Sequence, residues 1–274
     1  MKVSVITATF NSSKTITDCV KSVYEQKYDE IEHIIIDGAS NDNTLKIIKS
    51  IPNRVSKIVS EPDGGIYDAM NKGIRIASGD IIAILNSDDF FIDNSCVSSI
   101  IAKFKETKAD AVIANTYHVK RNNVSKIVQS IRTPIYGKYI SLNGRITNLT
   151  YQNAMIYYGW IPPHTSLYIL KRAYDKYGNF NTSYKVSADF DLMFRFFILH
   201  NISLAFLDKY VVKMREGGAS TNSIKQRIIN IVDSIRIIRG YGYKVGLIYS
   251  IRRISSKTKQ RKLLYLKSKT KLSD

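Results

Sequence analysis

Residues 79–89 read GDIIAILNSDD. Gly79 and Asp80 break the chain, five apolar residues follow without alternation, and the run stops at Asn86, Ser87, Asp88 and Asp89. A short continuous apolar run bounded by turn residues predicts a strand covered on both faces. In open α/β sheets ligands bind beyond the carboxyl ends of the strands, so the end of this run is where chemistry is expected. Two adjacent carboxylates at that point repel each other unless a cation offsets their charge. Oxygen ligands of this kind suit the hard divalent cations Mg²⁺ and Mn²⁺. An Asp at a strand end can also do no more than cap the next helix.

Upstream, residues 3–8 (VSVITA) predict a first buried strand that ends at Thr9, Phe10 and Asn11. Residues 14–27 place Ile16, Val20, Val23 and Tyr24 on one helical face. A strand at 32–36 ends at Asp37-Gly38, and Ser40 or Asn41 then caps a helix through Leu45, Ile47 and Ile48. A strand at 55–60, a turn over Pro62, Asp63, Gly64 and Gly65, and a helix at 67–77 complete this half. Downstream come a helix at 95–106 and a strand at 110–114. Strands thus alternate with helices, which predicts an α/β layered domain with a largely parallel sheet. Three acidic clusters fall at strand ends: Asp37, the Asp63 to Asp68 turn, and Asp88-Asp89. No G-x-G-x-x-G and no G-x-x-x-x-G-K-[ST] occurs, which disfavours a dinucleotide-binding dehydrogenase and a P-loop NTPase.

Residues 117–160, rich in Tyr, Asn and Arg, suggest a hairpin followed by a mobile loop, and an ordered pattern returns over 161–223. Residues 224–239 put Ile224, Ile228, Ile231, Val232, Ile235 and Ile238 on one stripe, expected to pack against the body. The net charge is +18, unevenly spread. Residues 225–274 carry 14 Lys and Arg against two acids, a net +12, which leaves +6 for the other 224 residues. A basic tail points to an anionic partner, and residues 244–271 read as a basic amphipathic segment for an anionic membrane face. No apolar run reaches the roughly 18 residues of a transmembrane helix. MKVSVITATFN lacks a full apolar region and a cleavage site, so it reads as a strand and not as a signal peptide. Cys19 and Cys96 have no metal or disulfide spacing and read as reduced thiols of a cytosolic protein.

The succession VITATFN (5–11), IIIDGASNDNT (34–44), SEPDGGIYDAMNKGI (60–74) and GDIIAILNSDD (79–89) resembles glycosyltransferase family 2 in order and spacing. Residues 162–195, PPHTSLYILKRAYDKYGNFNTSYKVSADFDLMFR, are similar to the acceptor half of that family, and MREGGAS (214–220) to a segment that follows it. The likeness covers roughly residues 2–221. It implies a glycosyltransferase A type fold, with residues 1–223 as the transferase (1–115 for the nucleotide sugar, 116–223 for the acceptor) and 224–274 as a basic helical extension. It implies an inverting enzyme that uses Mn²⁺ or Mg²⁺ and a nucleotide-diphosphate sugar, a UDP-sugar foremost. The acceptor would be a saccharide or a polyprenyl-diphosphate-linked one, handled at the inner face of the cell membrane in polysaccharide synthesis.

Carried over by position, Asp37 would read the base, with Thr9, Asp68 and Asp88 about the nucleotide and metal region. Asp88 and Asp89 would serve the metal, His164 would line the site, and Asp189 would be the catalytic base. The family often carries Glu-Asp at the base where this chain has Ala188-Asp189, which alters the acceptor surroundings, and Asp191 is a rival for the role. Arg195 is expected to pair with Asp191 at i, i+4. Two other readings compete. A sugar nucleotidyltransferase shares the layout but requires a Gly-rich basic signature absent here. A nucleic-acid-binding protein would use the tail and its interleaved tyrosines, but without metal the acidic clusters of the body would repel phosphate, so no nucleic acid is expected.

Overall fold

A computed structural model of the 274-residue chain describes residues 1–131, 155–156, 161–217, 224–245 and 249. The loop expected after the hairpin and nearly all of 244–271 lie outside the described residues.

Four parallel strands form the first half of the sheet: β1 (Val3–Thr9), β2 (Ile31–Asp37), β3 (Val55–Ser60) and β4 (Ile81–Ile84). The strands β1, β2 and β4 are almost wholly buried, as their unbroken apolar runs predict, while β3 is an exposed edge. The helices α1 (Ile16–Tyr24), α2 (Thr44–Ser50) and α3 (Ile66–Ile76) connect them. Beyond β4 the sheet continues through β8 (Leu167–Leu170), β6 (Ala111–Lys120), β9 (Leu204–Arg215) and β5 (Phe90–Phe91), with β7 (Asn123–Ile131) paired to β6. Pairing is antiparallel for β4–β8, β8–β6, β6–β7 and β9–β5, and parallel for β6–β9. The remaining helices are α4 (Cys96–Thr107), α5 (Lys171–Tyr177), α6 (Ala188–Phe194) and α7 (Ile224–Gly240).

Each sheet face carries its own core. Ile6, Ile34, Ile36 and Ile84 pack with residues of α3, α6 and α7 on one face. Val5, Ile35, Ala83 and Leu85 pack with those of α1, α2 and α4 on the other. On α3, Gly73 lies directly over Ile6 and Ile36, and a Cβ there would collide with Ile6, so the helix sits low on the sheet. Gly65, at φ 114°, takes the left-handed turn into that helix. Both cysteines are buried and free, and burial pushes the Cys19 thiol up to about 12, so it stays protonated.

Two expectations need correction. Helix α2 is not capped by Ser40 or Asn41; Asp42 accepts hydrogen bonds from the Thr44 amide, at 2.9 Å, and hydroxyl. Helix α7 does not bury the whole isoleucine stripe. Ile228 and Val232 are 56% and 40% exposed, whereas Asp233, Ser234, Ile237 and Ile238 are buried. The buried side is set by the C-terminal end of the helix, where Ile237 and Ile238 join the core with Tyr249. Among the described residues, no helix is long and apolar enough to cross a membrane.

Candidate active site

Registers align the carboxyl ends of the first four strands. Thr9 lies opposite Asp37, Asp37 opposite Ser60, and Ile6 opposite Ile84. The chain leaving β4 therefore delivers Asn86 to Asp89 to the same edge as Thr9 and Asp37. Because β8 runs antiparallel to β4, with Ala83 opposite Tyr168, its N-terminal lead-in meets the C-terminal end of β4. That lead-in is the short 3₁₀ turn His164–Ser166, and it brings His164 to Asn86.

Asp89 is only 2% exposed. Its Oδ1 accepts the Arg215 amide at 3.2 Å and its Oδ2 faces the Asn86 Nδ2 at 3.4 Å. Burial, and then the charge of Asp88, push its carboxyl well above the ordinary range against these donors. Asp88 is more open, with the Arg121 guanidinium 3.4 Å from its Oδ2. Arg215 comes from the end of β9. It donates to the Asp88 carbonyl at 2.7 Å, pairs with Asp18, and so pins the acidic loop from behind.

Asp189, second residue of α6, is the opposite wall. Its Oδ1 accepts the Tyr67 hydroxyl at 3.3 Å, and its Oδ2 lies 3.7 Å from His164 Nδ1. Tyr67 also donates to the Val186 carbonyl at 3.0 Å. Burial first, then the charge of Asp189, hold this phenol well above its ordinary pKa, so it remains a donor. The loop before α6 is tied to α3 by a reciprocal pair. Asn71 donates to the Phe180 carbonyl at 2.9 Å and accepts its amide at 3.0 Å.

The expected residues thus divide. Asp88, Asp89, His164 and Asp189 converge with Asn86 and Tyr67. Thr9 and Asp37 lie further along the same edge, Asp37 two strands from β4 or about 10 Å by strand spacing. Asp37 is buried and accepts from Ser40 Oγ at 2.5 Å, the Ser40 amide at 2.9 Å and Ser60 Oγ at 2.7 Å. The Thr9 carbonyl accepts the Gly38 amide at 2.9 Å, while its buried hydroxyl has no partner. Asp68 accepts the Gly64 amide at 3.0 Å and so closes the glycine turn.

Asp191 stands apart. It is 1% exposed, paired with Arg195 Nε at 2.9 Å as the spacing predicts, and accepts the Tyr241 hydroxyl at 2.8 Å. Asn86, Tyr67 and Arg215 lie inside quoted motifs, but the sequence reading gave them no role. Only the fold shows what they touch.

Among the described residues, no group of three or more His, Cys, Asp and Glu forms a metal cage. The donors at the β4 end nevertheless fit a hard divalent cation. They are oxygen atoms, Asp89 is a buried carboxylate whose ionisation is opposed, and Asn86 Oδ1 is buried without a partner. Mg²⁺ and Mn²⁺ are commonly held by one or two carboxylates together with substrate phosphates.

The model of the family described as glycosyl transferase family 2 matches residues 4–162. Glycosyltransferase GlyG of Streptococcus pneumoniae serotype 4 is 34% identical over 119 residues, 42% of this chain and 39% of GlyG. The chain thus spans about two fifths of that curated relative. Among solved structures, S. aureus TarS 1-349 in complex with UDP-GlcNAc aligns with a TM-score of 0.63 at 18% identity, over 92% of this chain and 69% of that one. Mannosyltransferase PcManGT from Pyrobaculum calidifontis, in complex with GDP-Man and Mn²⁺, aligns at 0.61 and 16% identity, over 93% and 68%. With both, this chain shares the glycosyltransferase A type architecture. Matched over more than half its length, with the family's motifs set along one sheet edge, the chain belongs to glycosyltransferase family 2.

Proposed function

We propose that the protein is an inverting glycosyltransferase that moves a sugar from a nucleoside diphosphate, a uridine diphosphate foremost, to a saccharide or lipid-linked hydroxyl. The observation that carries this reading is the facing of two carboxylate walls, Asp88-Asp89 and Asp189, across Asn86 and His164. The relatives' bound ligands, UDP-GlcNAc in one and GDP-Man with Mn²⁺ in the other, support a nucleotide-sugar donor and a divalent cation.

In this reading Asp37 and Thr9 receive the nucleoside, with Asp68 beside it. Asp89, with Asp88, would hold the cation, which would supply positive charge against the departing diphosphate. The acceptor oxygen attacks the anomeric carbon as the carbon–diphosphate oxygen bond breaks, and its proton passes to Asp189. The electron pair of the broken bond leaves with the diphosphate. One displacement inverts the anomeric centre. For a lipid-linked acceptor the enzyme works at the inner face of the cell membrane. The exposed Ile228 and Val232 on α7, near exposed Lys225, Arg236 and Arg239, and the basic residues beyond them support an anionic membrane partner.

Calorimetric titration of UDP in Mn²⁺ and in EDTA tests the donor and metal assignment. Binding should weaken at least tenfold in EDTA, and Asp89→Asn in Mn²⁺ should match the wild type in EDTA. Equal affinity under both conditions would refute it.

A further inference from the structure

The Asn86 amide joins the two carboxylate walls. Its Nδ2 lies 3.4 Å from Asp89 Oδ2 and 3.1 Å from His164 Nε2. The amide nitrogen only donates, and its two hydrogens suffice for both contacts. With Asp89 ionised, as holding a cation requires, the opposite amide orientation would set Oδ1 against its carboxylate, acceptor against acceptor. So Nε2 of His164 must be the acceptor, and in the neutral ring the proton then sits on Nδ1. Nδ1 is the atom that faces Asp189, at 3.7 Å.

We infer that Asn86 and His164 are positioning residues: Asn86 locks His164 in the Nδ1–H tautomer, and His164 in turn presents that proton to Asp189. This deepens the transferase reading and rests on it for the role of Asp189. Asp189 Oδ1 accepts the Phe190 amide at 2.8 Å and the Tyr67 hydroxyl at 3.3 Å, and the ring's Nδ1–H faces Oδ2 at 3.7 Å. The same geometry denies His164 the role of base, because its lone pair is directed at Asn86 and not at an acceptor. It also ties the two halves of the reaction together. The amide that holds the ring is anchored on Asp89, so a shift of the acidic loop moves the ring that faces the base.

The test is the tautomer itself. The full chain is labelled with ¹⁵N-histidine, and long-range proton–nitrogen correlations are recorded near pH 8, where an ordinary imidazole is neutral. His164→Gln assigns the signal among the four histidines. The wild type should show His164 with Nδ1 protonated and Nε2 bare. Asn86→Asp replaces the donor with an acceptor and should invert the two nitrogens. Asn86→Ala, which adds no charge beside Asp89, should release the ring to a mixture. It should also lower turnover at least tenfold. A wild-type ring protonated on Nε2, a pattern unchanged in Asn86→Asp, or full turnover in Asn86→Ala would overturn the inference. The tautomer readout needs no substrate. A transferase reading that fails, by absence of nucleotide binding, is therefore told apart from a lock that fails.

Discussion

Asp189→Asn and Asp191→Asn should separate stability from catalysis within three residues of one helix. Asp191 is 1% exposed, and both its oxygens are engaged, by Arg195 at 2.9 Å and Tyr241 at 2.8 Å. Removing one partner of a buried ion pair costs about 3–5 kcal/mol. Arg195 would keep the Tyr177 carbonyl at 2.6 Å and the Asn179 carbonyl at 2.5 Å, and Asn can still accept from Tyr241. The lower end, about 3 kcal/mol, is therefore expected. For a chain of this size that lowers the melting temperature by about 5 °C. Asp189 is not an ion-pair anchor of the core, and its Asn variant should lose about 1 kcal/mol or less, since Asn serves as well as Asp near a helix start. Turnover should run the other way. Asp189→Asn loses roughly two to four orders of magnitude, the usual worth of a positioned base. Asp191→Asn stays within a few-fold once corrected for folded protein. Urea midpoints and initial rates on both variants decide the matter. An Asp191→Asn enzyme that melts like the wild type yet is inactive would refute the assignment.

Two further outcomes follow from residues away from the site. Burial raises the Glu32 carboxyl, but hydrogen bonds from Ser4, Ser78 and Lys2 outweigh it and hold it at about 2, against 4.5 unfolded. Its stabilisation is therefore complete above pH 4.5 and lost as pH falls through about 2. Glu32→Gln should cost about 3 kcal/mol at neutral pH and flatten that acid limb in urea titrations, given about 1.4 kcal/mol per pKa unit; an unchanged limb would count against it. Truncation after Tyr249 should abolish flotation with anionic liposomes while the melting temperature holds, because the core contacts of Ile237, Ile238 and Tyr249 are retained. A truncated chain that floats as well as the full one would exclude the tail as anchor.

The first half of the fold was legible because its strands are covered on both faces and its turns are rich in Gly, Asp and Pro. Each boundary there falls within a few residues of the observed one. The apolar run predicts β6 over 110–114, but the strand runs Ala111–Lys120, because its polar second half is held by pairing with β7 and not by an apolar run. The stripe on α7 misled for a related reason. Periodicity shows that a helix has an apolar side but not how much of that side meets a partner, and here only the end around Ile237 and Ile238 does. The acidic strand ends were legible one by one. Their common edge was legible too, but the Asn86–His164 contact was not, because His164 reaches Asn86 only through the antiparallel insertion of β8 beside β4. Arg215 and Asn86 act through backbone groups and an amide, for which no spacing rule exists.

The different surroundings of Asp189 and Asp191 follow from helix geometry. At 3.6 residues per turn, positions two apart point about 200° from each other. If one of the two faces the site, the other must face away from it, into whatever packs behind. Behind α6 stands the end of α7, where Tyr241 stacks on Phe194 at 5.7 Å and Tyr243 meets the same ring edge-on at 5.4 Å. A carboxylate there is tolerable only when fully paired, and Arg195, one turn on, supplies the charge while Tyr241 supplies the second hydrogen bond. The helix widens to a π turn at Arg195–Leu199, and the Arg195 guanidinium also binds the carbonyls of Tyr177 and Asn179. The core side of α6 is thus fixed by a charged network, and that network holds the opposite face, with Asp189 upon it, toward Tyr67 and His164. The basic extension expected from residue 224 therefore begins inside the fold, its residues Tyr241 and Tyr243 forming part of the support behind Asp189.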